Sequence, residues 1–329
     1  MKGLVYVKKR TLDYKEVQDP TVTENDALIK IDSVGICGSD MHAFLGHDER
    51  RPAPLILGHE AAGTVVEGYN KGKRVTVNPL VSCLNCSACR KGRNNICSNR
   101  QLISIPPRQG AFAELLAVPD RNTLIVPDNV NINHAALTEP LACGWHAVKL
   151  GAKVLDVSLS DAHCLVIGGG AIGVGVSLSL KAKGVEKVTM VENSLLRYQM
   201  LLANFGSEIS IREELDSSME FDFIIDAVGY SKTREKACNL CRPGGVIAHI
   251  GLGNGSEGLD VRRMTLQEIT FIGTYTYTPE DFKETAQAIF TNQMGDFGWV
   301  EQRPLEQGHQ AFLDILEGRV SASKIVLQP

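Results

Sequence analysis

The sequence predicts an α/β fold in which a β-rich part and a doubly wound parallel sheet share one chain. Its 329 residues are about twice the length of a typical domain, so we expect two domains. The first third consists of short β-type runs separated by Gly, Pro and Asn. From about Cys164 the pattern changes to strands alternating with helices, which is typical of a parallel sheet flanked by helices.

The runs of the first third are about five residues long and predict the strands of a barrel-like unit. They are LVYV, ALIKIDSV, GTVVEG, KRVTVNP and AFAELLAVP. Near the C-terminus, PEDFKETAQAIFTNQM and LEQGHQAFLDILEG predict two helices, and KIVL predicts a closing strand.

The alternating part opens with CLVI, GGGAIG and VGVSLSLKAKG, which predict a strand, a glycine-rich turn and a helix. In that context Gly168, Gly170 and Gly173 form G-x-G-x-x-G, the dinucleotide fingerprint of a Rossmann domain. The first glycine permits a tight turn, the second lets backbone approach a pyrophosphate, and the helix N-terminus offers free N–H groups. Glu192 ends the next strand, 19 residues after Gly173, where a carboxylate accepts the ribose hydroxyls. This residue favours NAD over NADP.

Four of the nine cysteines have the spacing C-x2-C-x2-C-x7-C and are predicted to hold a structural zinc ion. They are Cys83, Cys86, Cys89 and Cys97. Four sulfur ligands leave no open coordination position, which distinguishes a structural from a catalytic site. Four unrelated thiols and a [4Fe-4S] cluster are the alternatives. Cys238 and Cys241 form a lone C-x2-C without a second pair, and we interpret them, like Cys164, as buried packing residues on a helix or core strand.

Charge and hydropathy exclude several kinds of partner. The net charge of −4 provides no basic field for nucleic acid or an anionic membrane. The longest apolar stretch, residues 165–176, is too short to cross a bilayer, and residues 4–7 are too short for a signal-peptide core. We therefore expect a cytoplasmic protein.

A second set of metal-ligating residue types lies in the motifs GICGSDMH and GHE. Cys37, His59 and Glu60 supply a thiolate, an imidazole and a carboxylate, all competent zinc ligands. Taken singly, each is weak evidence, because a lone Cys or His is more often a partly buried side chain.

Four motifs then occur in a fixed order: GICGSDMH, LILGHEAAGTVV, the four-cysteine loop and GAFAELLAVP. Together they resemble the zinc-dependent medium-chain alcohol and polyol dehydrogenases over essentially the whole chain. Glu139-Pro140-Leu141 is similar to the EPL motif of the sorbitol, iditol and sugar-alcohol branch. The resemblance implies a catalytic and a structural zinc in each subunit, NAD as cofactor, a small-molecule alcohol as substrate, and a homodimer or homotetramer.

The resemblance makes Cys37, His59 and a carboxylate the catalytic zinc ligands. Glu60 is a ligand in some members, and Glu139 is the competing carboxylate, bound directly or through a zinc-bound water. Cys143, four residues beyond Glu139, is a further alternative.

By the same resemblance Ser39 and His42 map onto a proton relay. The Ser39 hydroxyl takes the alcohol proton and His42 passes it towards solvent. Asp40 is then expected to orient a zinc ligand.

Further contacts to the cofactor carry over position by position. Arg197 matches an arginine that follows the ribose-binding acid by five residues in the polyol branch. Val228 and Gly229 are expected to flank the nicotinamide. The remaining contacts implied by the resemblance are Ile172, Ile250, Gly251, Leu252, Thr274 and Tyr275.

The implied architecture is a GroES-like β-rich catalytic domain, residues 1–146 together with 278–329, around a Rossmann domain of residues 147–277. The active site is expected in the cleft between them.

Departures from the polyol branch lie where the substrate binds. Ala43 follows His42 where a tyrosine often stands, and Thr276 replaces an arginine. We therefore predict an NAD-linked oxidation of a polyol, sugar acid or related secondary alcohol. A hydroxy amino acid, as in threonine dehydrogenase, and a non-catalytic nucleotide-binding role are the alternatives. Arg50 and Arg51 are expected on the solvated surface rather than against a phosphate or carboxylate of the substrate.

Overall fold

A computed structural model describes all residues 1–329 and contains eighteen strands and ten α-helices. The strands are β1 (Lys2–Lys8), β2 (Thr11–Glu16), β3 (Asp26–Gly35), β4 (Leu55–Ile56), β5 (Glu60–Glu67), β6 (Arg74–Val77), β7 (Leu80–Val81), β8 (Gln101–Leu102), β9 (Leu115–Pro119), β10 (Thr123–Ile125), β11 (Cys164–Ile167), β12 (Val188–Val191), β13 (Ser210–Arg212), β14 (Phe221–Asp226), β15 (Cys241–His249), β16 (Thr270–Gly273), β17 (Val300–Pro304) and β18 (Lys324–Gln328). The helices are α1 (Gly38–Phe44), α2 (Ser87–Arg90), α3 (Ile132–Ala135), α4 (Thr138–Ala152), α5 (Ala171–Ala182), α6 (Leu195–Phe205), α7 (Ser231–Leu240), α8 (Val261–Leu266), α9 (Pro279–Phe290) and α10 (Gly308–Leu316).

The first part of the chain forms the predicted β-rich unit. Its main sheet has the strand order β10-β6-β5-β3-β18-β17, and β9 also pairs with β3. Strand β18, at the C-terminus, pairs antiparallel with the end of β3. A core that includes Leu4, Ile29, Phe44, Phe112 and Phe312 lies beneath these strands. The last residues of the chain therefore complete a sheet begun by the first 35.

The second part is a six-stranded sheet of order β13-β12-β11-β14-β15-β16 in which every neighbouring pair is parallel. Numbered within the sheet, this is the order 3-2-1-4-5-6 of a doubly wound dinucleotide-binding fold. Alternate residues of β11 enter separate cores: Leu165 and Ile167 join one, and Val166 joins the other. Both faces are covered, which explains why the strand is apolar throughout.

Helix α4 connects the two parts. It runs without a break through position 146, and Leu141, Trp145 and Val148 all lie in the core on one face of the parallel sheet. The domain division at 146/147 and 277/278 remains a prediction, and α4 lies across the first of these positions.

Two smaller expectations concern single residues and membranes. Cys164, Cys238 and Cys241 are fully buried, as expected. Cys238 lies in α7, but Cys241 begins β15, so the helix predicted through both residues ends between them. No helix has the length and apolarity needed to cross a bilayer.

Candidate active site

Asp40 joins the two segments that carry the predicted catalytic-zinc ligands. Helix α1 begins directly after Cys37, and the Asp40 carboxylate accepts hydrogen bonds from the backbone N–H of Cys37 at 3.0 Å and of Gly58 at 3.1 Å. Its Oδ1 lies 3.5 Å from Nδ1 of His59. Burial alone would raise the pKa of Asp40, but His59, Arg51 and the Cys37 amide together lower it. An ionised Asp40 holds the His59 ring with Nε2 left for a metal.

Cys37, His59 and Glu60 come together because strands β3 and β5 pair antiparallel, with Gly35 opposite Glu60. Their ligand atoms all lie within 4.8 Å of one another. A Cβ on Gly35 would stand 2.0 Å from Oε2 of Glu60, so only glycine leaves room for this carboxylate. The arrangement supplies one sulfur, one nitrogen and one oxygen ligand with an open side, as catalytic zinc requires.

Lys324, at the start of β18, is a site residue that the sequence analysis missed. Its Nζ donates to Oε1 of Glu60 at 2.7 Å and to the carbonyl of Ile36 at 2.8 Å, and both side chains are buried. Oε2 of Glu60 is buried without a hydrogen-bond partner. A buried carboxylate oxygen with an unused lone pair fits a cation, so the residues at this position suit a metal ion.

Glu139, the competing carboxylate, lies in the first turn of α4 and outside the group of three close ligand atoms. The buried hydroxyl of Tyr277 donates to its Oε1 at 2.7 Å. Burial raises the pKa of Glu139 to about 7. Cys143 lies one turn further along α4 and is also outside the group, with its Sγ 3.8 Å from the carbonyl of Glu139. The geometry therefore favours Glu60 as the third ligand.

The four-cysteine loop has the dimensions of a tetrahedral sulfur site. The Sγ atoms of Cys83 and Cys97 are 3.4 Å apart, those of Cys86 and Cys89 are 3.5 Å apart, and those of Cys83 and Cys89 are 4.0 Å apart. Four thiolates at the usual Zn–S length would be separated by ~3.8 Å. Backbone N–H groups lower the pKa of Cys83 and lower that of Cys86 to about 6, whereas burial raises the pKa of Cys89 to about 12, so the first two thiols ionise most readily.

The predicted proton relay lies on α1, immediately beyond Cys37. Ser39 is half-buried and His42, one turn along, is exposed. A path through these residues would lead from the metal-ligand group towards solvent, as the relay requires.

The fingerprint turn has the geometry expected for each glycine. Gly168 has a φ of +97°, and a Cβ on Gly173 would stand 1.7 Å from the carbonyl oxygen of Gly168. A Cβ on Gly170 would meet nothing within 4 Å, so the backbone is open at this position. Helix α5 begins at the next residue and directs its free N–H groups to the same space.

Glu192 follows β12 and binds the fingerprint turn as well as its own loop. Its carboxylate accepts from the N–H of Gly169 at 3.0 Å and of Ser194 at 2.7 Å, and from the Arg197 guanidinium at 3.2 Å. A carboxylate has about four lone-pair positions, so one remains for a ribose hydroxyl. The Nε of Arg197 is buried without a partner.

The other predicted cofactor contacts lie at the carboxyl ends of β14, β15 and β16. Asp226, which the sequence analysis did not identify as a site residue, accepts hydrogen bonds from the N–H of Val228 at 3.0 Å and of Gly229 at 2.9 Å. A Cβ on Gly229 would stand 2.2 Å from the carbonyl of Gly251, so the two turns touch. In the same region Ile250 and Thr274 are half-buried and Leu252 is exposed.

A cleft of about 230 Å³ connects the metal-ligand group to the fingerprint turn. Cys37 and Glu60 lie on one side, and Gly170, Ile172 and Arg197 lie on the other. Ligands binding from these two sets of residues would therefore meet in one space, as expected for hydride transfer.

Arg51 corrects the expectation of a solvated surface. Its guanidinium is buried, pairs with Asp48 at 2.6 Å and donates to the carbonyl of Ser104 at 3.0 Å. The hydroxyl of Ser104 in turn lies 3.4 Å from Nδ1 of His59. Only Arg50 is exposed, as expected.

Comparison with known proteins identifies the family. Residues 23–128 match the model of the alcohol dehydrogenase GroES-like domain, and residues 171–291 match that of the zinc-binding dehydrogenases. L-galactonate-5-dehydrogenase of Escherichia coli is 32% identical over 305 residues, which are 88% of this chain and 87% of that protein. The chain belongs to the zinc-dependent alcohol and polyol dehydrogenases. The predicted family, the enzyme class and the GroES-like and Rossmann folds are thereby confirmed.

Two further relatives are similar to this dehydrogenase over most of its length. Sorbitol dehydrogenase of Arabidopsis thaliana is 30% identical over 282 residues, 78% of this chain and 76% of that protein. The structure of acetophenone reductase from Geotrichum candidum, in complex with NAD, superimposes with a TM-score of 0.88 at 26% identity. That match covers 100% of this chain and 97% of the other.

Proposed function

We propose that this dehydrogenase oxidises a secondary alcohol of a polyol or sugar acid to the ketone. The balanced reaction is R₂CHOH + NAD⁺ → R₂C=O + NADH + H⁺. The observation that carries the proposal is the group of Cys37, His59 and Glu60, which opens into the same cleft as Gly170 and Arg197. Both curated relatives described above are named for a sugar acid or a polyol, and neither is named for a hydroxy amino acid.

The residues that would hold the catalytic zinc are Cys37, His59 and Glu60, and the four cysteines Cys83, Cys86, Cys89 and Cys97 would hold the structural one. When bound, zinc supplies a Lewis acid that lowers the pKa of the substrate hydroxyl, and NAD accepts the hydride. Asp40 keeps the His59 ring oriented, and Lys324 occupies one oxygen of Glu60 and leaves the other without a partner, available to a metal.

The proton of the substrate hydroxyl needs an exit from the cleft. Ser39 Oγ is positioned on α1 to accept it, and the exposed imidazole of His42 on the same helix delivers it to water. The position of both residues directly beyond Cys37 supports this assignment.

The fingerprint turn would bind the pyrophosphate of NAD at the N-terminus of α5. Glu192 would accept a ribose hydroxyl and repel the 2′-phosphate of NADP. Arg197 shares the Glu192 carboxylate and lines the cleft. We also propose that the dehydrogenase acts in the cytoplasm and that it is a homodimer or homotetramer. Light scattering after size exclusion would measure the number of subunits.

The test is the initial rate of NAD reduction by purified, zinc-loaded protein with polyols, sugar acids and hydroxy amino acids, and with NADP alongside. Turnover of one polyol or sugar acid with NAD supports the proposal. Turnover of hydroxy amino acids alone would contradict the substrate class, and a preference for NADP would contradict the role given to Glu192. Binding of NADH without any turnover would favour a regulatory protein.

A further inference from the structure

Two consecutive residues, Ser323 and Lys324, connect the cofactor-binding side of the cleft to the metal-ligand side. The hydroxyl of Ser323 donates to the carbonyl oxygen of Gly169 in the fingerprint turn at 2.6 Å. The Nζ of Lys324 donates to Glu60, the proposed third metal ligand, at 2.7 Å. Both residues line the cleft that contains Cys37. These two residues, here called the 323–324 link, therefore contact both proposed binding sites.

Gly169 is held on both sides by side chains from different parts of the fold. Its N–H donates to the Glu192 carboxylate at 3.0 Å, and its carbonyl accepts from the hydroxyl of Ser323. Gly170 and the first N–H groups of α5, which are proposed to bind the pyrophosphate, follow directly along the chain. Removal of the Ser323 hydroxyl would therefore free one side of the turn that positions the pyrophosphate.

The metal-ligand end of the link is also constrained. Lys324 is 5% exposed, and its Nζ donates to the carbonyl oxygen of Ile36 at 2.8 Å in addition to Glu60. Because Ile36 precedes Cys37, one ammonium group contacts the segments that carry two of the three proposed ligands. Binding of a metal by these ligands would restrict the Glu60 carboxylate and, through it, the Lys324 side chain. Ser323 is joined to Lys324 by a single peptide bond.

Strand β18, which begins within the link, belongs to both large cores of the protein. Ile325 and Leu327 lie in the core of the β-rich part, whereas Val326, on the opposite face, lies in a core of the parallel sheet. The N–H of Ser323 donates to the carbonyl of Trp299, a fully buried residue of that second core. Because such cores are close-packed, a displacement at one end of the link is transmitted to the other end.

We infer that Ser323 is a positioning residue that couples NADH binding at the fingerprint turn to metal binding at Cys37, His59 and Glu60. The inference rests on the proposed function, because it takes both sites as they are assigned there. Such a coupling is reciprocal: if the metal raises the affinity for NADH by some factor, NADH raises the affinity for the metal by the same factor. During the reaction the link would hold cofactor and substrate at the separation that hydride transfer requires.

A coupling between these sites has two possible sources, and they respond differently to a substitution at position 323. Electrostatic attraction between the metal and the pyrophosphate does not depend on the Ser323 hydroxyl. The contribution of the link does depend on it. One hydrogen bond between neutral groups changes an affinity by about 3- to 10-fold, so a coupling of this size is expected to disappear with the hydroxyl.

The experiment measures the binding of NADH and metal in the absence of any alcohol. A chelator removes metal from the proposed catalytic site, elemental analysis checks that the structural zinc is retained, and Co²⁺ is then added. The dissociation constant of NADH is obtained from cofactor fluorescence with and without Co²⁺. That of Co²⁺ is obtained from its thiolate absorption bands with and without NADH. Wild type is expected to bind NADH at least about 3-fold more tightly with Co²⁺ bound, and the reciprocal factor is expected to agree.

The variants are Ser323→Ala and Ser323→Thr, with Ser321→Ala as control. Ser321 is an exposed serine two residues earlier in the same loop. Ser323→Ala is expected to lower the coupling factor by about 3- to 10-fold, whereas Ser323→Thr, which keeps the hydroxyl, and Ser321→Ala should retain it within about twofold. Each factor is a ratio of two affinities of one protein, so a general loss of stability does not change it. An unchanged factor in Ser323→Ala, an equal loss in Ser321→Ala, or no coupling in wild type would overturn the inference.

The inference and the proposed function fail in different ways. If no alcohol is turned over but Ser323→Ala lowers the coupling between NADH and Co²⁺, the proposed reaction fails and the 323–324 link stands. If polyols or sugar acids are oxidised with NAD and Ser323→Ala leaves the coupling unchanged, the reaction stands and the link is wrong.

Discussion

The Nζ of Lys324 lies 2.7 Å from Oε1 of Glu60, and this ion pair is almost fully buried beside Cys37 and His59. It joins the strand at the C-terminus to the proposed third zinc ligand, Glu60. Because Lys324 holds one oxygen of Glu60, the other is left buried without a hydrogen-bond partner. The ion pair is therefore expected to stabilise the fold and to fix the position of the Glu60 carboxylate.

Substitution of Lys324 by Met is expected to destabilise the protein by about 3–5 kcal/mol, since it leaves the Glu60 carboxylate buried and unpaired. The measurement is denaturant unfolding with the structural zinc retained and the proposed catalytic site free of metal, because zinc would itself pair with the charge of Glu60. The double variant Lys324→Met, Glu60→Gln has no unpaired charge and should be more stable than Lys324→Met alone. A double variant that is no more stable would show that the charge of Glu60 is not the cause.

Removal of one cysteine from each proposed zinc site should have different effects. Cys37→Ala is expected to lower turnover by about a thousandfold or more while the melting temperature changes little. Cys89→Ala is expected to lower the melting temperature first, because a structural metal contributes to folding. Each variant should lose one of two zinc equivalents in elemental analysis. Equal losses of stability in both would contradict the division into a catalytic and a structural site.

Two glycines of the fingerprint should respond differently to alanine. Gly173→Ala places a methyl group against the Gly168 carbonyl and should cost about 1–3 kcal/mol or more in stability. Gly170→Ala meets nothing in the protein, so the fold should persist while NADH binding weakens by about tenfold or more. Thermal unfolding and NADH fluorescence titration measure the two effects. Undiminished NADH affinity in Gly170→Ala would place the pyrophosphate elsewhere.

Replacement of Glu192 by Ala is expected to lower kcat/KM for NAD by about 10- to 100-fold and to narrow the preference for NAD over NADP. The loss combines the missing ribose contact with the unpaired N–H of Gly169. Rates with both cofactors are compared with those of Glu186→Ala, which removes an exposed carboxylate near the start of β12. An unchanged ratio of the two cofactors would contradict the assignment of Glu192.

Asp281 makes the stability of the α4–α9 contact dependent on pH. Burial alone would raise its pKa, but hydrogen bonds from His146, Thr278 and Lys149 outweigh it and lower the pKa well below the ordinary value. Because the folded pKa is the lower one, the stabilisation is present above the unfolded pKa of about 3.9 and is lost as pH falls below it. Asp281→Asn should lower the melting temperature by about 2–4 °C at pH 7 and bring it closer to wild type near pH 3. Melting temperatures of the two proteins that differ by the same amount at every pH would refute this assignment.

Local patterns in the sequence were sufficient for much of the fold and site. The parallel sheet flanked by helices follows from the alternation of strands and helices, whereas its strand order comes from the structure. The glycine turn with Glu192 was recognised from spacing because these contacts are short in sequence. The same holds for the cysteine loop, whose ligands span only fifteen residues.

Tertiary structure alone decided which side chains complete the site. Lys324 meets Glu60 across 264 positions of sequence, and Tyr277 meets Glu139 across 138. Lys324 begins a short strand and Tyr277 follows one, and nothing in the neighbouring sequence of either residue indicates a role in the site. Their contacts form only when distant segments pack together. Arg51 shows the same limit, since its neighbour Arg50 is exposed while it is buried against Ser104. Burial and pairing of charges depend on which distant segments pack together. The spacing of residues within one segment does not predict these contacts.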